Sequence, residues 1–241
     1  MDEPKITTLI RTHERPAELR ACLESIAACR DGAIQLILIS DRAADPVEAA
    51  VAAVPWAVEP AWTRFEPQPA PWPPNDYFNQ ARGLAQGAYL TYLDDDDRVL
   101  DPDYYRAIRL AVRQGGGPYL VIWKANLGRL YSTGEDTILP DARHWGGRPV
   151  LNRFSGIGFA VRADVARAVD WPNRRGGDWA FADRVWREFV APGPVARLRR
   201  RWARRAPEPP REPVIFVDRV LSGTQRSLST HRSAGSRPGP G

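Results

Sequence analysis

The stretch "YLTYLDDDDRVLDPDYY", residues 89–105, runs an apolar segment straight into four successive carboxylates. Tyr89 to Leu93 reads as a buried strand, since aromatic, β-branched and aliphatic residues fill it without a charge. Two unit charges about 4 Å apart repel by about 1 kcal/mol in water and about 4 kcal/mol at a protein-like dielectric. Four carboxylates at the end of a core strand therefore call for solvent, a helix start or a cation. Helix capping accounts for Asp101, just before Pro102, but not for residues 94–97. A helix–loop–helix calcium loop fails on inspection. Counted from Asp94, the fifth position is Arg98, the sixth Val99 instead of Gly, and the twelfth Tyr105 instead of Glu. A plain solvated loop and a cation site remain open.

The flanking sequence decides how to weigh them. "KITTLIRT" (5–12) and "AIQLILIS" (33–40) are short apolar runs, the second nearly continuous, as in a parallel strand covered on both faces. Between them Pro16 suits a first helical turn, and Leu19, Cys22, Leu23 and Ile26 recur at helical spacing. "DPVEAAVAAV" (45–54) reads as a short helix. Residues 55–74, rich in Pro and Trp, read as an irregular connection with room for one short strand. "NDYFNQARGLAQ" (75–86) has a helix start and Gly87 to stop it, followed by the strand 88–93. "DPDYYRAIRLAVRQGGG" (101–117) predicts a helix with Asp101 as N-cap and Pro102 at its first position. "PYLVIWKA" (118–125) predicts a fourth strand. Such alternation predicts an α/β fold with a mostly parallel central sheet flanked by helices. Beyond it, "SGIGFAVR" (155–162), a helix near 163–169, "GGDWAFADRVWREF" (176–189) and a late strand, "PVIFVDRVLSG" (213–223), predict a mixed region.

In an open parallel sheet, ligands bind outside the carboxyl ends of the strands. Asp94–Asp97 lie at such an end, with Arg11-Thr12 and Ser40-Asp41 at the ends of the other two strands. Alternation along the strand puts Asp94 and Asp96 on one side. Hard carboxylate oxygens there suit Mg²⁺ or Mn²⁺, which could bridge to a diphosphate. The plain alternative for Asp41, in "SDRAAD", is a turn residue.

Composition narrows the classes. The 241 residues are 43% hydrophobic and 26% charged, ordinary for one globular domain with a real core. No run approaches the roughly 18 apolar residues of a transmembrane helix, and the N-terminus reads as no signal peptide. Cys22 and Cys29 lack partners at metal-ligand spacing and read as reduced packing residues, which suits the cytoplasm. The net charge of +5 is almost entirely arginine, since Lys5 and Lys124 are the only lysines. One basic stripe, 195–205, is well separated from the acidic run, so the chain is not simply a polyanion binder.

These residues resemble a known family. "ITTLIRTHERPAELRACLESI" is similar to the opening strand, Thr-x-Asn-Arg-Pro turn and first helix of family 2 glycosyltransferases of the GT-A (Rossmann-like) fold. His13-Glu14 stand where that turn usually has an aromatic residue and Asn. "LILISDRAAD" resembles the second strand and its acidic ending, with Ser40 for the first Asp and Arg42 for Gly. "NQARGLAQGAYLTYLDDDD" is the best match, with Asn79, Ala85, Gly87 and Tyr89 at the family's spacing before Leu-Asp-x-Asp-Asp.

The resemblance implies a metal-dependent inverting transfer from a nucleoside-diphosphate sugar, UDP-sugar by the family's habit, to a glycan, lipid-linked or small-molecule hydroxyl. Residues 1–125 would form the nucleotide-sugar half and 126–231 the acceptor and base half, with 232–241 a disordered tail. Thr12 and Asp41 would line the base pocket, Asp94 would contact the ribose or the metal, and Asp95 would belong to the nucleotide site. Asp96 would bind Mn²⁺ or Mg²⁺. Asn79 and Arg82 sit near the nucleotide in this reading, Arg82 on phosphate or simply on a solvated helix face. Asp178, after "RRGG", would be the catalytic base, equally a good N-cap, with Asp183 its competitor. Trp179 could stack on a sugar or pack in the core. His231 stands where some GT-A enzymes place a further metal ligand, and His144 lies on a Gly-rich loop near the acceptor side.

The segment "VARLRRRWARR" suits peripheral contact with the anionic inner face of a membrane, or a solvated insertion. A nucleic-acid module would leave Asp94–Asp97 without a role, so no nucleic acid is expected. A nucleotidyltransferase would want glycines after the first strand, which "RTHERP" lacks. A degraded sugar-nucleotide-binding protein is the remaining rival.

Overall fold

The structure is a computed structural model and describes residues 5–30, 34–69, 75–128, 136–140, 145–193 and 210–224. His144, His231, the basic stripe 195–205 and the tail 232–241 lie outside these described residues.

Strands β1 (Ile6–Thr12), β2 (Ile34–Ser40), β3 (Ala61–Phe65) and β4 (Tyr89–Asp94) pair in parallel in the order β3-β2-β1-β4. Their near-continuous apolar runs follow from burial on both faces. Leu36 and Leu38 of β2 enter one core, with Ile6, Ile10 and helix α1 (Pro16–Ala27); Ile37 and Ile39 enter the other, with Leu9, Leu90 and Tyr92. On α1 the buried face is Leu19, Cys22, Leu23 and Ile26, as the spacing predicts, and Pro16 opens the helix. Full burial of each such aliphatic side chain is worth about 1.5–3 kcal/mol.

After β4 the sheet becomes mixed. β8 (Phe159–Arg162) runs antiparallel to both β4 and β6 (Leu120–Asn126). β9 (Val214–Thr224) lies parallel to β6, and the short β7 (Ile138–Leu139) pairs antiparallel on β6. β5 (Asp97–Val99) closes the order β3-β2-β1-β4-β8-β6-β9-β5 by pairing antiparallel with β9. Yet β5 follows β4 in the chain after Asp95 and Asp96 alone. The sheet must therefore curl until its far end meets the carboxyl end of β4, and the acidic turn is where it meets.

Helices α2 (Val47–Ala52) and α4 (Tyr104–Gln114) cover the α1 side; α3 (Asp76–Ala81), α5 (Ala163–Ala168) and α6 (Gly177–Val185) cover the other. Two boundaries differ from expectation. The segment after Asn75 gives only the six residues of α3 and then a 3₁₀ turn at Arg82–Leu84. Helix α4 begins at Tyr104 instead of Pro102, because Asp101 organises a preceding turn: its Oδ1 accepts from Asp103 N at 2.9 Å and its carbonyl from Tyr104 N at 3.0 Å. Cys22 and Cys29 are free thiols, both raised in pKa mainly by burial, Cys29 to about 12. Among the described residues, no helix is long and apolar enough to cross a membrane.

Candidate active site

The strand register brings Arg11 beside Asp94 and Thr12 beside Ser40 at the carboxyl rim. A cavity of about 340 Å³ opens there, with Asp94, Asp96 and Asp97 on one side and Asp178 on another. Phe78, Tyr92 and Trp171 contribute apolar surface to it. Trp171 stacks on Phe181 with centroids 4.8 Å apart, and Tyr92 meets Trp171 edge-on, so this surface is braced from the core.

The acidic run splits at the strand end. Carboxylate oxygens of Asp94, Asp96 and Asp97 all come within 4.8 Å of one another. Strict alternation holds only to Asp94, where β4 stops. The turn then brings Asp97 to the same place, and Asp97 Oδ2 accepts from Asp94 N at 2.7 Å. Asp97 is only 4% exposed; burial first, then the Asp94 charge, raises its pKa well above the usual carboxylate range.

Asp95 faces the other way. It is fully buried and accepts from Thr12 Oγ1 at 2.9 Å, His13 N at 3.3 Å and Arg15 Nε at 3.1 Å. Burial raises its pKa to about 6, against the lowering effect of Thr12 and Arg15. It is absent from the cavity lining, and so is Thr12, whose hydroxyl it holds. The crowding at 94–97 is thus relieved by arginine. Arg11 binds Asp94 through two hydrogen bonds, and Arg15 bonds Asp95 while its Nη1 lies 3.3 Å from Asp96. Three convergent carboxylates with hard oxygens, two of them partly exposed to a cavity, fit a Mg²⁺- or Mn²⁺-sized divalent ion.

Asp178 sits in the first turn of α6, and the chain around it is built for close approach. Gly176 has φ +67°, a left-handed conformation that favours glycine. A Cβ on Gly177 would come within 2.3 Å of Asn75 Nδ2 and 2.6 Å of Pro172 O. A Cβ on Gly156 would reach 3.0 Å from Asp178 Cβ. Burial raises the Asp178 pKa, with backbone N–H groups of Trp179, Gly156 and Asp178 itself pulling it back and the Asp94 charge adding to the rise. The 155–158 turn is itself pinned: Ile157 O accepts from Ser222 Oγ at 2.6 Å and Trp123 Nε1 at 3.1 Å.

Several expected site residues lie elsewhere. Asn79 and Arg82 do not line the cavity; they tie α3 to the α5–α6 connection. Arg82 donates to Ala166 O at 2.8 Å, Val169 O at 2.6 Å and Asp170 at 2.5 Å, so its guanidinium finishes helix α5 instead of facing solvent or a phosphate. Asn79 donates to Trp171 O and accepts from Trp171 N. Asp183 pairs with Arg187 at 2.8 Å, and Trp179 packs against the α6-side core, so neither joins Asp178 in the cavity. Asp41 lies outside the cavity lining, where it holds His13 Nδ1 at 2.6 Å and accepts from Tyr77 OH at 3.2 Å.

Sequence reasoning missed Asp97 as a member of the acidic trio, and Asn75, Arg174 and Arg175 as cavity residues. "RRGG" before Asp178 carried a signal: two cations beside two glycines at a helix start. Asn75 had none, since its partners Pro172 O and Arg174 O are about a hundred residues away.

No family model and no curated protein sequence matches the chain. Solved structures match its fold. S. aureus TarS 1–349 in complex with UDP superposes with TM-score 0.63 at 11% identity, over 91% of this chain and 60% of that one. The mannosyltransferase PcManGT from Pyrobaculum calidifontis, in complex with GDP-Man and Mn²⁺, superposes with TM-score 0.58 at 15% identity, over 93% of this chain and 58% of that one. The chain thus spans about 60% of the length of such neighbours. The fold is the GT-A fold of glycosyltransferases, with the mixed sheet expected from the sequence.

Proposed function

We propose that the chain is a metal-dependent inverting glycosyltransferase of the family 2 type, which moves a hexose from a nucleoside-diphosphate sugar to an acceptor hydroxyl. One observation carries this reading: three convergent carboxylates and a separately held, raised-pKa carboxylate face one cavity over an aromatic surface. The neighbours bound to UDP, UDP-GlcNAc and GDP-Man support the donor class, and Mn²⁺ beside GDP-Man supports a divalent ion. UDP is the default nucleotide.

Asp94, Asp96 and Asp97 would hold Mn²⁺ or Mg²⁺, which when bound offsets the charge of a leaving diphosphate. Arg11 keeps Asp94 oriented toward the cavity. The buried rings of Phe78, Tyr92 and Trp171 back the cavity wall and keep water from that side, and the Arg11 guanidinium lies over the Phe78 ring at 5.0 Å. Asp178, as base, takes the proton of the acceptor hydroxyl as that oxygen attacks the anomeric carbon in line, and the bond from that carbon to the diphosphate oxygen breaks to release the nucleoside diphosphate. Its raised pKa strengthens it as a base relative to an ordinary aspartate. Thr12 and Asp41, which lie outside this cavity at the same strand-end rim, would serve the nucleotide base beyond it, with Asp95 holding the Thr12 hydroxyl.

Residues 1–125 would serve the donor and 126–231 the acceptor, across one continuous sheet. The role would be assembly of a surface glycan at the cytoplasmic side, with segment 195–205 reaching anionic lipid. Calorimetric titration of UDP, GDP and dTDP, each with and without Mn²⁺, tests the reading. One nucleotide should bind tightly only with the ion, and Asp96→Ala should lose that binding. Failure of every nucleotide under both conditions would end the enzyme reading.

A further inference from the structure

Three arginines line the cavity: Arg11, Arg174 and Arg175. Arg11 is committed to Asp94. Arg174 and Arg175 are exposed and form no ion pair among the described residues, although four aspartates line the same cavity. Their backbone is fixed all the same. Arg174 O accepts from Asn75 Nδ2 at 2.7 Å and from Gly177 N at 3.1 Å, and Arg174 N donates to Pro172 O at 2.8 Å. Gly176, in its left-handed conformation, and Gly177, against Asn75, then lead directly to Asp178. Two uncommitted guanidiniums are thus displayed from a rigid turn, four and three residues before the proposed base.

We infer that Arg174 and Arg175 bind an anionic substituent, a phosphate or a carboxylate, on the acceptor. The inference rests on the transferase reading. Both side chains line the same cavity as Asp178, so a hydroxyl held at Asp178 lies within the space they border. The donor diphosphate belongs instead with the acidic trio and the ion it would hold. Guanidinium forks match carboxylate and phosphate geometry with paired hydrogen bonds, and two adjacent forks without internal partners leave that capacity for a ligand.

The full chain is first saturated with Mn²⁺ and the nucleoside diphosphate that binds it, then titrated with glycerol 3-phosphate and with glucuronic acid. Glycerol and glucose are the neutral controls. One anion should bind saturably and its neutral counterpart should not; which one binds separates phosphate from carboxylate. Arg174→Gln/Arg175→Gln should weaken that anion at least tenfold with nucleotide affinity unchanged, and Arg174→Lys/Arg175→Lys should restore part of the loss. An unchanged thermal midpoint in the Gln variant shows that the turn is intact. The proposal is overturned if neither anion binds, if anion and neutral compound bind alike, or if the Gln variant loses nucleotide affinity instead, which would assign the pair to the donor. If no nucleotide binds wild type at all, the transferase reading falls first and this inference with it.

Discussion

Arg11 grips Asp94 through two hydrogen bonds, Nε to Oδ1 at 2.9 Å and Nη2 to Oδ2 at 3.0 Å, and its Nη1 reaches Asn75 Oδ1 at 3.3 Å. Asn75 in turn donates to Pro172 O and Arg174 O. A single chain of contacts therefore runs from the acidic trio to the turn that carries Asp178.

Removing the first link should expose the charge crowding. Arg11→Met leaves Asp94, Asp96 and Asp97 with one guanidinium fewer. Both partners are partly exposed, so the discounted cost is about 1–2 kcal/mol. Thermal melting should show that loss without metal, and Mn²⁺ should raise the variant's midpoint by more than it raises the wild type's. Equal metal shifts would mean that the trio is not what Arg11 balances.

Removing the proposed base should separate chemistry from binding. Asp178→Asn should lower kcat by about 10²–10⁴-fold and leave nucleotide affinity unchanged. The ionised carboxylate is the competent form. Because burial raises its pKa above the ordinary aspartate value, kcat/KM should climb with pH through that raised pKa. A flat acid limb would remove Asp178 from this role.

Crowding the turn should damage catalysis beyond its effect on stability. In Gly177→Ala the new Cβ would meet Asn75 Nδ2 at 2.3 Å and Pro172 O at 2.6 Å, so the Asn75 clamp must shift. Overpacking of this kind costs about 1–3 kcal/mol. Transfer should fall at least tenfold with nucleotide affinity within about twofold, measured below the variant's melting range.

Asp95 should give the fold a recognisable pH dependence. Its folded pKa of about 6 exceeds the ordinary 3.8, so the folded chain holds this proton more tightly than the unfolded chain. Its contribution therefore favours folding below about pH 4 and is lost as pH rises through about 6. The difference of roughly two units corresponds to an upper figure of about 3 kcal/mol. Urea titrations from pH 4 to 7 should show a flatter profile for Asp95→Asn than for wild type.

Strands and helices of the first half were legible because their signals are local: apolar runs, Pro16 at a helix start, glycines after Gln114. The acidic stop of β4 and Asp178 behind its glycines were legible for the same reason. The allocation of carboxylates was not. Alternation places Asp94 and Asp96 together, but nothing in a window of sequence shows that the sheet curls and delivers Asp97 to them. Arg82 resembled a phosphate contact because its true partners, the last carbonyls of α5, lie over eighty residues away. The four departures from the family pattern have tertiary partners as well. His13 bonds Asp41, Glu14 pairs with Arg42 at 3.4 Å, and Ser40 bonds Asp45 at 2.6 Å. These links stitch the turn after β1 to the turn after β2.

The two-residue step from β4 to β5 joins strands that stand far apart in the sheet order. That step works as a clasp between the two ends of the sheet. Lengthening it by one residue would displace Asp97 and let β5 drift from β9. The length of the acidic turn is therefore set by the whole sheet and not by its own residues alone. A change there would be felt at the far edge of the sheet, where β5 is fastened to β9.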